Sequence, residues 1–173
     1  LQLKDEDPFD YACVERKIPA SSYLKASFDV QAAQTRNGSL QIEFLDEKGI
    51  ACTRIELNKE GVIRVKNGAR YGNVMPYQAD QTYRFEATLD TQHRQLNLTV
   101  STLGADGKAL QSKSTKRIFY APVHQIERIR FRTGDLRTFP TIDTPADWFG
   151  TLEHAGDTDT TALYRIAHVK TVS

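Results

Sequence analysis

The sequence predicts an all-β antiparallel sandwich, and three observations carry that expectation. Most of the chain is written in period two, apolar at alternate positions, as a strand buried on one face requires. Short clusters of Gly, Asn and Asp interrupt the alternation at fairly regular intervals, as hairpin turns do. No stretch of about 12 residues sustains the 3.6-residue period of a helix. About ten or eleven strands result, too many for a minimal immunoglobulin-type module and suited to a larger antiparallel jelly roll.

In chain order, "SSYLKASFDVQAA" places Leu24, Ala26, Phe28, Val30 and Ala32 on one face and Lys25, Ser27, Asp29 and Gln31 on the other. "SLQIEF" turns Leu40, Ile42 and Phe44 inward, and "TRIEL" does the same with Ile55 and Leu57. "TYRFEATLD" buries Tyr83, Phe85, Ala87 and Leu89, and "QLNLTV" buries Leu96, Leu98 and Val100. The separators "RNGS", "DEKG", "NKEG", "KNG", "DTQH" and "GADGK" mostly supply Gly or Asn where a tight turn needs positive φ. "PVHQIERI" offers one helical turn opened by Pro122. In "RIRFRTG", Ile129 and Phe131 face the core, while Arg128, Arg130 and Arg132 line the other face until Gly134 ends the row. Thr138 to Thr160, rich in Pro, Asp, Thr and Gly, reads as a long ordered loop pinned by Trp148 and Phe149. "ALYRIAHVKT" closes the sheet as a last strand.

A chain of 173 residues with 39% hydrophobic content suits a single sandwich domain over residues 1 to 173. The formal net charge of +1, with both signs mixed along the chain, leaves no overall field to hold nucleic acid or an anionic membrane. No apolar run is long enough to span a bilayer, and "LQLKDEDPFDYACVERK" lacks the basic start and apolar core of a signal peptide. The first residue is not Met, which reads as a processed or excised piece of a larger protein. Cys13 and Cys52, without a CxxC or a His at metal spacing, point to two unpaired thiols or to one bridge, and to no metal site.

Catalytic patterns are missing. There is no E-x-D-x-x-E run for paired-carboxylate glycoside hydrolysis, Glu43 and Asp46 being the nearest approach. The R-x-E-x-R, Q-I-H and Y-x-K-x-G-x-Y clusters of jelly-roll lyases are absent, as is G-x-S-x-G. His93 and His154 read as solvated, and His124 and His168 as structural. Asp157 and Asp159 in "GDTDT" could offer calcium oxygens, yet the rest of a loop-type site is lacking, so no cofactor is expected. Asn37-Gly-Ser and Asn97-Leu-Thr match the glycosylation tripeptide.

The stretches "DPFDYACVERKIPASSYLKASFDVQAA", "GSLQIEFLDEKGIACTRIELNKEGVIRVKNG", "RIFYAPVHQIERIRFRTGDLRTFP" and "DTPADWFG" together resemble the concanavalin A-like, laminin-G-like jelly-roll domains attached to secreted glycan-degrading proteins of Bacteroidetes. The resemblance covers nearly the whole chain and includes R-x-R-x-G-x-x-R-x-x-P, from Arg130 to Pro140, but no catalytic signature. It implies an extracytoplasmic, bacterial accessory module whose partner is a glycan or an adjacent catalytic domain of the same polypeptide. Three functions follow. In the first, a non-catalytic module binds glycan through Arg128, Arg130 and Arg132, with Trp148, Tyr71 and Tyr77 contributed by loops. In the second, an interdomain or structural module without ligand, the arginines pair with carboxylates of adjacent strands, such as Glu56 and Glu86, or of a neighbouring catalytic domain, and Trp148 plugs the core. In the third, the domain is a polysaccharide lyase or glycoside hydrolase of jelly-roll type.

Overall fold

The computed structural model describes residues 1–6, 11–134 and 161–173. These form twelve strands: β1 (Gln2–Asp5), β2 (Cys13–Ser21), β3 (Tyr23–Ala32), β4 (Leu40–Leu45), β5 (Ala51–Leu57), β6 (Val62–Asn67), β7 (Arg70–Pro76), β8 (Thr82–Asp90), β9 (Gln95–Leu103), β10 (Ala109–Ile118), β11 (Ile126–Thr133) and β12 (Ala162–Val172). One six-stranded sheet runs β1-β12-β3-β8-β9-β10 and the other runs β2-β11-β4-β5-β6-β7. Every pairing is antiparallel. The molecule is a concanavalin A-like jelly roll.

The alternating apolar residues fill the space between the sheets. Leu24, Phe28, Val30, Leu40, Ile42, Phe44, Ile55, Phe85, Leu89, Leu96 and Ile129 are all buried there. Phe28 joins the layers: its ring stacks on Phe85, its cross-strand neighbour, with centroids 5.3 Å apart, and meets the edge of Phe131 from the opposite sheet at 5.3 Å. Because Phe131 points inward, period two sends Arg130 and Arg132 outward. The arginine strand is thus oriented by an aromatic contact that spans the core.

Two turns share one chemistry. In "DEKG" the Asp46 carboxylate accepts from the backbone N–H of Lys48 and Ile50 at 2.9 and 2.8 Å, and Gly49 closes the turn with φ +82°. In "NKEG" the Asn58 side-chain oxygen accepts from Val62 N–H at 2.9 Å, and Gly61 takes φ +79°. A side chain at either glycine would enter the left-handed region that only glycine occupies without strain.

The helical turn expected at Pro122 does not form. Among the described residues none is helical, and the segment runs irregularly from Phe119 until Ile126 pairs with Ser21. The hydroxyl of Thr91 donates to the carbonyl of His124 at 2.8 Å and fixes the approach to β11. Both cysteines are free thiols, Cys13 exposed and Cys52 buried, so no bridge joins them. No described helix is long and apolar enough to cross a membrane.

Candidate functional site on the polar face of the second sheet

Alternation in β4, β5, β6, β7 and β11 sends a second set of side chains to the outside of the sheet. Register lines them up in rows. Arg130 sits beside Glu15 on one flank and Glu43 on the other, and Glu43 in turn faces Arg54. One position along, Arg132 neighbours Gln41, Gln41 neighbours Glu56, and Glu56 neighbours Arg64.

The charges are therefore interleaved. Glu43, fully buried, accepts from Arg130 Nη2 at 2.6 Å and Arg130 Nε at 2.7 Å, and from Arg54 Nε at 2.5 Å. Glu56, also buried, accepts from Arg64 Nε and from Gln41 Nε2, the latter at 2.8 Å. This hydrogen bond raises the Arg64 guanidinium above its ordinary range, against the opposing effect of burial. Arg128 is tied to Glu15 at 3.2 Å and to the carbonyl of Glu47. Arg132, only 7% exposed, lies 4.9 Å from the Tyr11 ring centroid, and its Nη2 has no hydrogen-bond partner among the described residues.

Tyr71 stands at the β7 end of the same face. The Arg64 guanidinium and the Lys66 ammonium each lie 4.4 Å from its ring centroid. Cations over an aromatic ring are attracted by the negative charge of its faces. Burial, helped by the nearby Glu56 carboxylate, pushes the Tyr71 phenol well above its usual range, so it stays a neutral hydroxyl. Among the described residues that hydroxyl is buried without a hydrogen-bond partner, and so is Gln41 Oε1. Each unmet polar atom costs about 1–3 kcal/mol. The same end of the face holds a cavity of about 330 Å³ lined by Gln41, Glu56, Asn58, Lys59, Glu60, Arg64 and Tyr71.

The residues singled out in the sequence fare differently. Arg128, Arg130 and Arg132 share the outer face as expected, but their carboxylate neighbours are Glu15 and Glu43. Glu56 serves Arg64 instead, and Glu86 belongs to β8 in the other sheet. Tyr71 lies on a strand and not on a loop. Tyr77 is withdrawn into the core at 2% exposure, where its hydroxyl donates to the carbonyl of Asn58 at 2.9 Å. It cannot present its ring to a ligand, and it braces the rim turn from beneath. Trp148, Phe149, His154, Asp157 and Asp159 lie outside the described residues. Gln41, Glu43 and Arg54 were visible only as polar letters between core residues; which strand lies beside which is not written in any one strand.

The outer face of the other sheet carries a smaller cluster. Asp29 accepts from Arg84 Nε and Nη2 at 2.8 and 3.0 Å and pairs with His168 Nδ1 at 2.8 Å. Burial alone would raise the Asp29 carboxyl, but these hydrogen bonds outweigh it and hold the carboxyl below the usual range. His93 sits in an exposed turn against Asp90 at 2.7 Å. Among the described residues no group of three or more His, Cys, Asp or Glu is placed to hold a metal ion.

Two six-stranded antiparallel sheets in this order make the fold a concanavalin A-like jelly roll. The family model described as "Sialidase-like, CBM domain" matches residues 1–148, and the chain belongs to that family. A solved structure of a sialidase is 55% identical, with a TM-score of 0.79 over 99% of this chain and 15% of that one. The chain thus spans a small part of that protein. Sheep galectin-11 matches 92% of this chain and 96% of its own at 10% identity and a TM-score of 0.51. A GH131 beta-glucanase catalytic domain from Podospora anserina matches all of this chain and 70% of its own, at 14% identity and a TM-score of 0.59. These two show a shared fold. No curated protein matches the chain.

Proposed function

We propose that the chain is a non-catalytic carbohydrate-binding module of an extracytoplasmic bacterial protein, joined in the same polypeptide to a sialidase-type catalytic domain. Membership of the sialidase-like module family is the observation that carries this reading, and the relative in which the matching region is 15% of a sialidase supports the linked domain. The chemistry of the face supports a binding role over a hydrolytic one. Glu43 and Glu56 are both engaged by guanidinium groups of neighbouring strands, so each is held within the sheet and neither forms the paired, substrate-facing arrangement that glycoside hydrolysis needs. Of the residues first considered, Arg128 and Arg130 order the face through their carboxylate partners.

A second reading, a structural spacer beside the catalytic domain, is favoured by the pairing of Arg128 and Arg130 within the sheet itself. One experiment separates the two. The purified chain is passed over immobilised sialylated and desialylated glycoprotein glycans, and the same mixtures are assayed for released sialic acid and reducing ends. A module gives retention without turnover. Turnover would overturn the non-catalytic assignment, and absence of retention on every glycan would favour the spacer.

A further inference from the structure

We infer that the module's sugar groove lies across the outer face of the first sheet, where it takes a short acidic sugar chain, with hydroxyl groups held at Glu86 and a carboxylate held at the lysines around it. The inference rests on the carbohydrate-binding reading and places the site on the sheet opposite the arginine row.

Register builds the groove. Cross-strand pairing sets Lys170, Ser27, Glu86, Thr99 and Ser114 in one row from β12 to β10, and Lys25, Thr88, Asn97 and Lys116 in the next, from β3 to β10. Period two turns both rows outward, because the residues between them, Ala26, Phe28, Phe85, Ala87 and Leu98, fill the core. Neighbouring strands lie about 4.8 Å apart, so the first row is about 19 Å long, more than one sugar ring covers. Three hollows adjoin along it, of about 460, 270 and 310 Å³. The first and second share Glu86 and Thr88, and the second and third share Ser27, Glu86 and Lys170. Glu86 therefore stands where all three meet.

The charges of this face are open to a ligand, unlike those of the arginine face. Glu43 and Glu56 are buried against guanidinium groups, whereas Glu86 is exposed and no hydrogen bond or ion pair engages it among the described residues. Arg84, two positions before it on β8, is turned onto Asp29 instead. Lys25, Lys116 and Lys170 are exposed as well, and none forms an ion pair among the described residues. Lys25 and Lys170 line one hollow together, and like charges set close on a sheet repel, so an anion between them relieves the repulsion. With Asp29 and Arg84 cancelling at the far end, three ammonium groups against the one carboxylate of Glu86 leave the groove positive. The remaining lining is neutral and polar. Thr99 and Ser114 bond to each other at 2.8 Å, which uses one hydroxyl hydrogen and leaves the other to donate outward. A sugar chain matches this set: its hydroxyls donate to Glu86 and trade hydrogen bonds with Thr88, Asn97 and Ser114, and a carboxylate on the chain accepts from the lysines.

The test is a nuclear magnetic resonance titration of the full chain with sialyllactose and trigalacturonic acid, with lactose as the uncharged arm and N-acetylneuraminic acid as the single-ring arm. At least one acidic chain should shift the amide resonances of Glu86, Asn97 and Thr99 saturably, and bind more tightly than lactose or the single ring. Glu86→Gln should weaken it about ten-fold, in the range of a hydrogen bond to a charged group, with the melting temperature unchanged because the side chain is exposed and unpaired. The sign is diagnostic. A carboxylate that only repelled the acidic ligand would be relieved by the same substitution, so tighter binding overturns the role of Glu86. Lys25→Gln combined with Lys170→Gln should weaken the acidic chain and leave lactose unaffected. Equal affinity for lactose overturns the acidic class, and equal affinity for the single ring overturns the extended groove. Shifts confined to the second sheet, or retention in the column assay without shifts in the groove, overturn this site and leave the module reading standing. Wild-type protein that binds no sugar here and no glycan on the column overturns both readings.

Discussion

Glu43 receives two arginines at once, and this asymmetry makes the arginine row testable one side chain at a time. Removing the carboxylate leaves Arg54 and Arg130 facing each other without their shared anion, whereas removing Arg130 leaves Glu43 still paired with Arg54. Glu43→Gln should therefore cost about 3 kcal/mol in urea unfolding, the low end of the range for breaking a buried pair. Arg130→Ala should cost about 1 kcal/mol, near the value for a partly exposed ion pair. Equal losses would show that Arg54 does not hold Glu43 in solution. Thiol labelling offers a second measurement at this scale. Cys13 should react with a maleimide in the native protein, and Cys52 only at the rate of unfolding, because one is exposed and the other buried.

The turn between β5 and β6 lines the cavity beside Tyr71, and its glycine should matter more than the matching glycine between β4 and β5. Gly49 and Gly61 both have φ near +80°, so Ala at either costs about 1 kcal/mol in backbone strain. At Gly49 a Cβ meets nothing within 4 Å; at Gly61 it lies 3.0 Å from the Thr35 methyl. Gly61→Ala should therefore lower the melting temperature further than Gly49→Ala. Element scale is also where the sequence was most and least legible. Strand faces could be read because period two records burial directly: Phe28, Phe85 and Phe131 are inward, and Arg128, Arg130 and Arg132 outward. Register could not, since Glu43 meets Arg130 only through the pairing of β4 with β11, over 80 positions apart. Tyr77, just beyond Pro76, has the local signature of a loop aromatic. A backbone bond to Gly61 at 2.9 Å and a hydroxyl bond to Asn58 draw it inside, and neither contact has a local sequence signal.

Across the molecule, Asp29 on the outer face of the first sheet ties stability to acid. Its folded carboxyl titrates below the ordinary aspartate value of about 3.9 that the unfolded chain restores. Its stabilisation is thus complete above about pH 4 and is lost as pH falls toward the folded value. Asp29→Asn should cost about 1–2 kcal/mol at neutral pH, a discounted value because Arg84 reaches solvent. Thermal melts should show that difference shrinking from about pH 4 downward; a constant difference would mean that Asp29 titrates alike in both states. Sheet order bears on a further whole-molecule property. In each sheet a strand from late in the chain lies between two early ones: β12 between β1 and β3, and β11 between β2 and β4. During synthesis these gaps stay open until β11 and then β12 leave the ribosome. Until then four early strand edges lack their partners, inviting pairing with another nascent chain. A transcript cut short before Ile126 therefore encodes an aggregation hazard and not a smaller sandwich, and its product should collect in the insoluble fraction.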